Sequence, residues 1–151
     1  MDASPAVLSP ETTFAEAVRV LREKRLLAIP VVDAQGRYLG MFRKNLVISN
    51  VLPQVALNND RCSQTTRLIE AGLLRDTLSE VRARFAAIAR EPVSRFADTE
   101  APVLRPDQPL VTALFYLYRG RNFLPVVDPA SRRLLGMIST WDVLETMGDA
   151  S

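Results

Sequence analysis

The chain has 151 residues, 48% of them hydrophobic and 24% charged, with a formal net charge of +2 and a sequence pI near 9.0. That length and apolar content suffice for one compact core, and the longest apolar run, around Leu26 to Val32, is too short and too interrupted by Pro30 to span a bilayer. Histidine is absent altogether, which removes His-based triads, most zinc sites and histidine acid–base chemistry; with no Gly-rich phosphate loop either, no enzyme activity is expected.

The opening Met-Asp-Ala-Ser-Pro has no basic region and no apolar stretch of signal-peptide type, so a cytoplasmic protein is expected. The first helix opens at Thr13, with Glu16 placed to complete a capping box, and carries Phe14, Ala17, Val18 and Leu21 on one face. A strand runs from Ala28 to Asp33, Ala34-Gln-Gly36 turns the chain, and a second strand covers Tyr38 to Phe42 before a short helix. Residues 49–101 match neither flank. Val51 to Gln64 reads as irregular, with Pro53 and Asn58-Asn-Asp60 as breakers. Leu52, Leu57, Leu68, Ile69, Leu73 and Leu74 are more apolar residues than a free linker needs. Cys62 is the lone cysteine, which excludes an internal disulfide, suits a reducing compartment and reads as a small hydrophobe or idle thiol. Thr77 with Glu80 opens another helix, whose Leu78, Val81, Phe85 and Ile88 form one stripe while Arg82, Arg84 and Arg90 project elsewhere; Glu91-Pro92 ends it. Packing on the flanking units, and a contact surface for a second chain or an effector domain, are both open readings of this insert. The arginines are scattered and no DNA-binding pattern accompanies them, so nucleic-acid binding is unsupported. A third helix then carries Leu110, Ala113, Leu114 and Leu117, and leads to Leu124-Pro-Val-Val-Asp128 and Gly136-Met-Ile-Ser-Thr-Trp-Asp142.

The last stretch repeats the first. Ile29-Pro-Val-Val-Asp33 with Gly40-Met-Phe42 reappears as Leu124-Pro-Val-Val-Asp128 with Gly136-Met-Ile138, Pro30 mapping to Pro125 at an offset of 95 and Gly40 to Gly136 at 96. The helical faces before them correspond at 96. Two copies in register, each behind an amphipathic helix, mark an internal duplication.

The pattern resembles the CBS domain, the cystathionine beta-synthase repeat, which normally occurs in pairs (a Bateman module). The resemblance implies an α/β (α+β) fold of tandem repeats, each a small three-stranded sheet packed with helices, related by a pseudo-twofold. It divides the chain into repeat one (1–48), a helical insert (49–101) that departs from the family's shorter connector, and repeat two (102–151). The two repeats form one module.

The resemblance also implies two clefts between the copies, each taking a ribose-binding Asp from one copy and an adenine pocket from the other. Mapped on this sequence, Asp142 would hold a ribose, Ser139 and Thr140 would lie near a phosphate, and Leu27, Ala28 and Ile29, with Ala6, would wall an adenine. Asn122 sits where many members place a polar group facing phosphates. A carboxylate suits a cis-diol because it can accept both hydrogen bonds. Ser139-x-x-Asp142 is equally what a helix N-terminus looks like, with Ser139 as cap and Asp142 facing the dipole, and the two roles are compatible. In the companion cleft Arg43 stands where Ser139 does and Leu46 where Asp142 does, while Phe123 crowds the position of Ala28, so that cleft is expected to lack nucleoside binding. The expectation is a stand-alone regulatory module that binds AMP, ADP, ATP or S-adenosylmethionine, requires no cofactor, forms a homodimer and signals to an effector protein. The competing expectation is a ligand-free dimerisation or interaction module.

Overall fold

A computed structural model describes residues 3–51 and 78–149. Cys62, the Thr77 half of the second capping box and the apolar residues between Leu52 and Leu74 lie outside the described residues. In chain order the elements are α1 (Phe14–Lys24), β1 (Ala28–Val32), β2 (Tyr38–Arg43), α2 (Lys44–Val51), α3 (Leu78–Ile88), a 3₁₀ turn (Val93–Arg95), α4 (Leu110–Tyr118), β3 (Phe123–Val127), β4 (Leu134–Ser139) and α5 (Thr140–Asp149).

Each repeat is built on an antiparallel hairpin, β1–β2 or β3–β4, with the same register: Pro30 faces Met41 as Pro125 faces Met137, and Ala28 faces Arg43 as Phe123 faces Ser139. The aspartate of each Pro-Val-Val-Asp closes its hairpin turn. Asp33 accepts from the Gln35 and Arg37 amides, and Asp128 from the Ala130 amide and the Ser131 hydroxyl. Those bonds hold the Asp128 carboxyl below the usual carboxylate range. The third strand expected in each sheet is reduced to a one-residue parallel bridge. Leu8 lies beside Val31 and Leu104 beside Val126, each through two backbone hydrogen bonds of 2.8–2.9 Å.

The duplication extends to how the helices end. α1 and α4 both close on a left-handed residue, Arg25 (φ 52°) and Gly120 (φ 93°), with the matching bonds Leu26 N–H to Leu21 O and Arg121 N–H to Tyr116 O. Phe14 to Arg25 is one residue longer than Leu110 to Gly120, which is where the repeat offset changes from 96 to 95. The Thr13 hydroxyl caps α1 through the Glu16 amide at 3.2 Å, but the Glu16 carboxylate, expected to complete a capping box, is paired with Arg19 at 2.7 Å.

The two copies meet across a pseudo-twofold marked by equivalent residues. Arg37 and Arg133 form an isolated antiparallel bridge, with Tyr38 N–H donating to Arg132 O and Leu134 N–H to Gly36 O. Beneath it, Tyr38, Met41, Val127 and Met137 form an apolar cluster to which Ala28 and Phe123 add. Repeat one has its own core around Phe14, Ala17, Ile29, Val31 and Phe42, and repeat two a smaller one around Leu104, Ala113, Leu124 and Val126.

The repeats differ in what covers their helices. Phe85 and Ile88 of α3 pack on the repeat-one core, α3 lies along α2, and Arg84 donates to the Val51 carbonyl at 2.7 Å. The chain after α3 is stitched to the same repeat, with Phe14 N–H bonded to Glu91 O, Val93 N–H to Thr12 O, and Met41 and Asp98 exchanging both backbone bonds. Phe14 is therefore fully buried, whereas its counterpart Leu110 is 61% exposed. Gly40 lies beneath that stitch. A Cβ there would come within 3.1 Å of the Asp98 carbonyl and 3.2 Å of the Ala97 Cβ. Because Asp98 is held at both ends by Met41, Gly40→Ala is expected to destabilise by about 1–3 kcal/mol, read as a lowered midpoint in chemical denaturation.

Candidate functional site

Two clefts open between the repeats, and they are pseudo-symmetric images of each other. The larger, of about 260 Å³, is lined by Pro5, Ala6, Lys24, Leu26, Ala28, Pro30, Phe123, Met137, Ser139 and Asp142. The smaller, of about 70 Å³, is lined among others by Ala101, Pro102, Arg121, Asn122, Phe123, Pro125, Ala28, Met41, Arg43, Lys44 and Asn45. Ala6 in one corresponds to Pro102 in the other, Ala28 to Phe123, Pro30 to Pro125, Met137 to Met41 and Ser139 to Arg43. Asp142 has no equivalent in the smaller cleft, since its counterpart is Leu46, which packs into the repeat-one core.

Of the residues the sequence singles out, Asp142, Ser139, Ala28 and Ala6 come together in the larger cleft. Leu27 and Asn122 line the smaller one instead. Ile29 faces away from both and is fully buried in the repeat-one core. Thr140 begins α5 as an exposed residue, its amide bonded to the Asn122 carbonyl at 3.3 Å. The reason is strand alternation: on a pleated strand successive side chains point to opposite faces. Only Ala28 and Pro30 of β1 can share the face toward repeat two, with Leu26 continuing the series. Reading Leu27, Ala28 and Ile29 as one wall ignores that period, and applying it would have picked out Leu26 and Pro30. Lys24 is the other unanticipated residue. As the last residue of α1 it reads as a cation complementing the helix dipole, yet it also lines the larger cleft.

Ser139 and Asp142 make a reciprocal capping arrangement at the start of α5. The Ser139 amide donates to Asp142 Oδ2 at 2.8 Å, the Ser139 hydroxyl to the same oxygen at 3.3 Å, and the Asp142 amide to Ser139 Oγ at 3.3 Å. The carboxylate is thereby fixed at the cleft and half-buried. Ala28, opposite, is small enough to leave the cleft open. The larger cleft therefore has one preorganised carboxylate beside a serine, one lysine and otherwise apolar walls, the composition of a site for a mostly apolar ring with polar attachments. Among the described residues no cluster of His, Cys, Asp and Glu able to hold a metal ion is present, and none of their helices is long and apolar enough to cross a membrane.

The family model of the CBS domain matches residues 1–52 and 93–149. No curated protein matches the sequence. Among solved structures, the chain is similar to a hypothetical conserved protein from Geobacillus kaustophilus, with a TM-score of 0.72 at 18% identity over 100% of this chain and 93% of that one. It is similar to protein MJ1225 from Methanocaldococcus jannaschii, described as a putative archaeal homologue of the AMP-activated kinase γ subunit. That TM-score is 0.69 at 18% identity, over 99% of this chain and 48% of that one. It is also similar to CBSX2 solved in complex with AMP, with a TM-score of 0.64 at 19% identity over 97% and 90% of the two chains. At such identities the likeness establishes the fold.

Proposed function

The chain belongs to the CBS-domain family, and from that premise we propose that it is a regulatory module that binds an adenosine-containing ligand in the larger inter-repeat cleft and transmits the binding to another protein. The observation that carries this is the convergence of Asp142 and Ser139 from repeat two with Ala6 and Ala28 from repeat one on a single cleft of about 260 Å³. That volume approaches the roughly 300–1,000 Å³ typical of ligand pockets. In the proposed mode the Asp142 carboxylate accepts from the ribose hydroxyls, the base lies against Ala6 and Ala28, and Lys24 with the α5 N-terminus faces the phosphate. AMP bound to CBSX2, a neighbour in fold, agrees with this choice of ligand. A thermal-shift panel of AMP, ADP, ATP, GTP and S-adenosylmethionine tests it: an adenine compound should stabilise the protein and GTP should not. No stabilisation by any adenine compound would leave the competing reading, an interaction module, as the better one. The engagement of Asp142 with its own helix supports that alternative.

We further infer a homodimer formed through repeat two. α3 covers Phe14 of repeat one, while repeat two leaves the matching Leu110 61% exposed and, beyond it on α4 and α5, Tyr118 87%, Trp141 70%, Val111 66%, Met147 63% and Phe115 55% exposed. Such a patch on two helices suits a second copy of itself about a twofold. Sedimentation should give about twice the 16.8 kDa chain mass, and Phe115→Lys with Trp141→Lys should give the monomer. A wild-type monomer at high micromolar concentration would count against the dimer.

A further inference from the structure

We propose that the groove between α4 and α5 of repeat two is a docking site for a basic amphipathic helix of a second protein, held as α3 is held on repeat one. The proposal rests on the regulatory reading in one respect, since it names the surface through which that module would reach its partner. The groove, of about 250 Å³, is walled by Leu110 and Leu114 of α4, Ile138 of β4, and Val143 and Met147 of α5, with Asp142 and Thr146 as its polar residues. Leu110, Leu114 and Met147 are 61%, 38% and 63% exposed.

The internal duplication shows what such a groove holds. At the repeat offset of 96, its apolar residues match Phe14, Val18, Phe42, Val47 and Val51 of repeat one. The first four of these belong to one core cluster with Phe85 and Ile88 of α3, and Arg84 of α3 donates to the carbonyl of Val51 at 2.7 Å. The end of α3 also meets the start of α1. The Phe14 amide donates to the Glu91 carbonyl at 2.8 Å, and the Ala15 amide to the Ala89 carbonyl at 3.1 Å. A helix C-terminus thus faces a helix N-terminus, so that opposite partial charges meet. In repeat two the matching Leu110 and Val111 amides have no acceptor among the described residues, and Pro109 supplies no side-chain cap.

Charge selects the occupant. α4 carries no charged residue, while α5 carries Asp142 and Glu145 and no basic one. A helix with arginines beside an apolar stripe complements those walls, as α3 would with Arg82 and Arg84 beside Val81, Phe85 and Ile88. The α4 and α5 helices of a second copy bring no basic residue, which leaves the groove to a different protein. Val111 and Phe115, the dimer residues of α4, are turned about 100° from Leu110 and Leu114. The groove and the dimer face are therefore separate, with Met147 common to both.

A fluorescein-labelled peptide of residues 78–97 of this chain is the probe, because it is the segment that fills the matching groove. The tethered original keeps repeat one filled at an effective concentration on the order of millimolar, which leaves repeat two for the added copy. Fluorescence anisotropy without nucleotide should show saturable binding to wild type. Binding should weaken at least about tenfold in Leu114→Lys/Thr146→Lys, and equally for a peptide with Phe85→Ala and Ile88→Ala. Leu114 and Thr146 are both exposed, so the double variant should stay folded, which a circular-dichroism melt checks. No saturable binding, or equal affinity in the double variant, would overturn the proposal. So would conversion of a wild-type dimer into a monomer by the same two substitutions, which would give the groove to a second copy. Because no nucleotide is present, silence of every adenine compound in the thermal-shift panel would fail the adenosine reading and leave this result standing.

Discussion

Asp142→Ala should abolish the stabilisation that an adenine nucleotide confers while leaving a folded protein. A ligand that binds only the folded state adds about 2.7 kcal/mol at a hundredfold excess over its dissociation constant, which for a chain of this size raises Tm by roughly 5–10 °C. The apo protein should lose about 0.5–2 kcal/mol, because the substitution also removes the acceptor of the Ser139 amide at 2.8 Å. Asp142→Asn separates the two roles. Its amide oxygen can still accept from Ser139 and keep most of the cap, yet it offers one acceptor where a diol needs two. Differential scanning fluorimetry with and without ligand reads both quantities. A full nucleotide shift in Asp142→Ala would assign the carboxylate to the helix alone.

Phe14→Ala should be the most damaging single change among those considered. Phe14 is fully buried, with the Phe96 ring at 4.8 Å, Phe42 at 5.6 Å edge-on and Phe85 at 5.7 Å. Those rings come from β2, from α3 and from the 93–98 segment, so the cavity would open where three elements meet and could not easily collapse. A Phe-to-Ala cavity costs about 3–5 kcal/mol, a large part of the roughly 5–15 kcal/mol that holds a domain together, and should lower Tm by about 6–20 °C. The equivalent substitution in repeat two, Leu110→Ala, should change the stability of the monomer by less than about 0.5 kcal/mol, because that side chain is 61% exposed. Comparable losses at the two positions would contradict the one-sided role of α3.

The duplication was legible because it is written twice: hydrophobic-Pro-Val-Val-Asp strands, a following Gly and a helix of period 3.6 are local patterns that survive without tertiary information. The asymmetry was not. Phe14 and Leu110 occupy the same place in their helices, and only the return of the chain through Phe85 and Phe96 buries one and leaves the other bare. The expected third strand shrank to a single bridge because Pro5, Pro10, Pro102 and Pro106 surround Leu8 and Leu104 closely, and proline cannot donate to a ladder. At the site, Asp142, Ser139, Ala28 and Ala6 came from the resemblance to the CBS domain and not from the duplication, since copy one has Leu46 and Arg43 where copy two has Asp142 and Ser139. Leu27, Ile29 and Asn122 were set apart from that cleft by strand alternation and by the pseudo-twofold, which hands a residue's neighbour to the opposite cleft. Lys24 was hidden because its position at a helix end already had a sufficient explanation.

Ala28 and Phe123 line both clefts, so the two sites share a partition. Each of these residues faces its own strand's partner, Arg43 or Ser139. A displacement of the Phe123 ring that widens one chamber narrows the other, and an occupant on either side resists that displacement. Occupants of the two clefts would therefore be coupled through a single aromatic ring. The influence must be equal in both directions, since a free energy of interaction between two bound species does not depend on which arrives first. A ligand in the larger cleft would therefore change what the smaller one admits, and the reverse to the same degree.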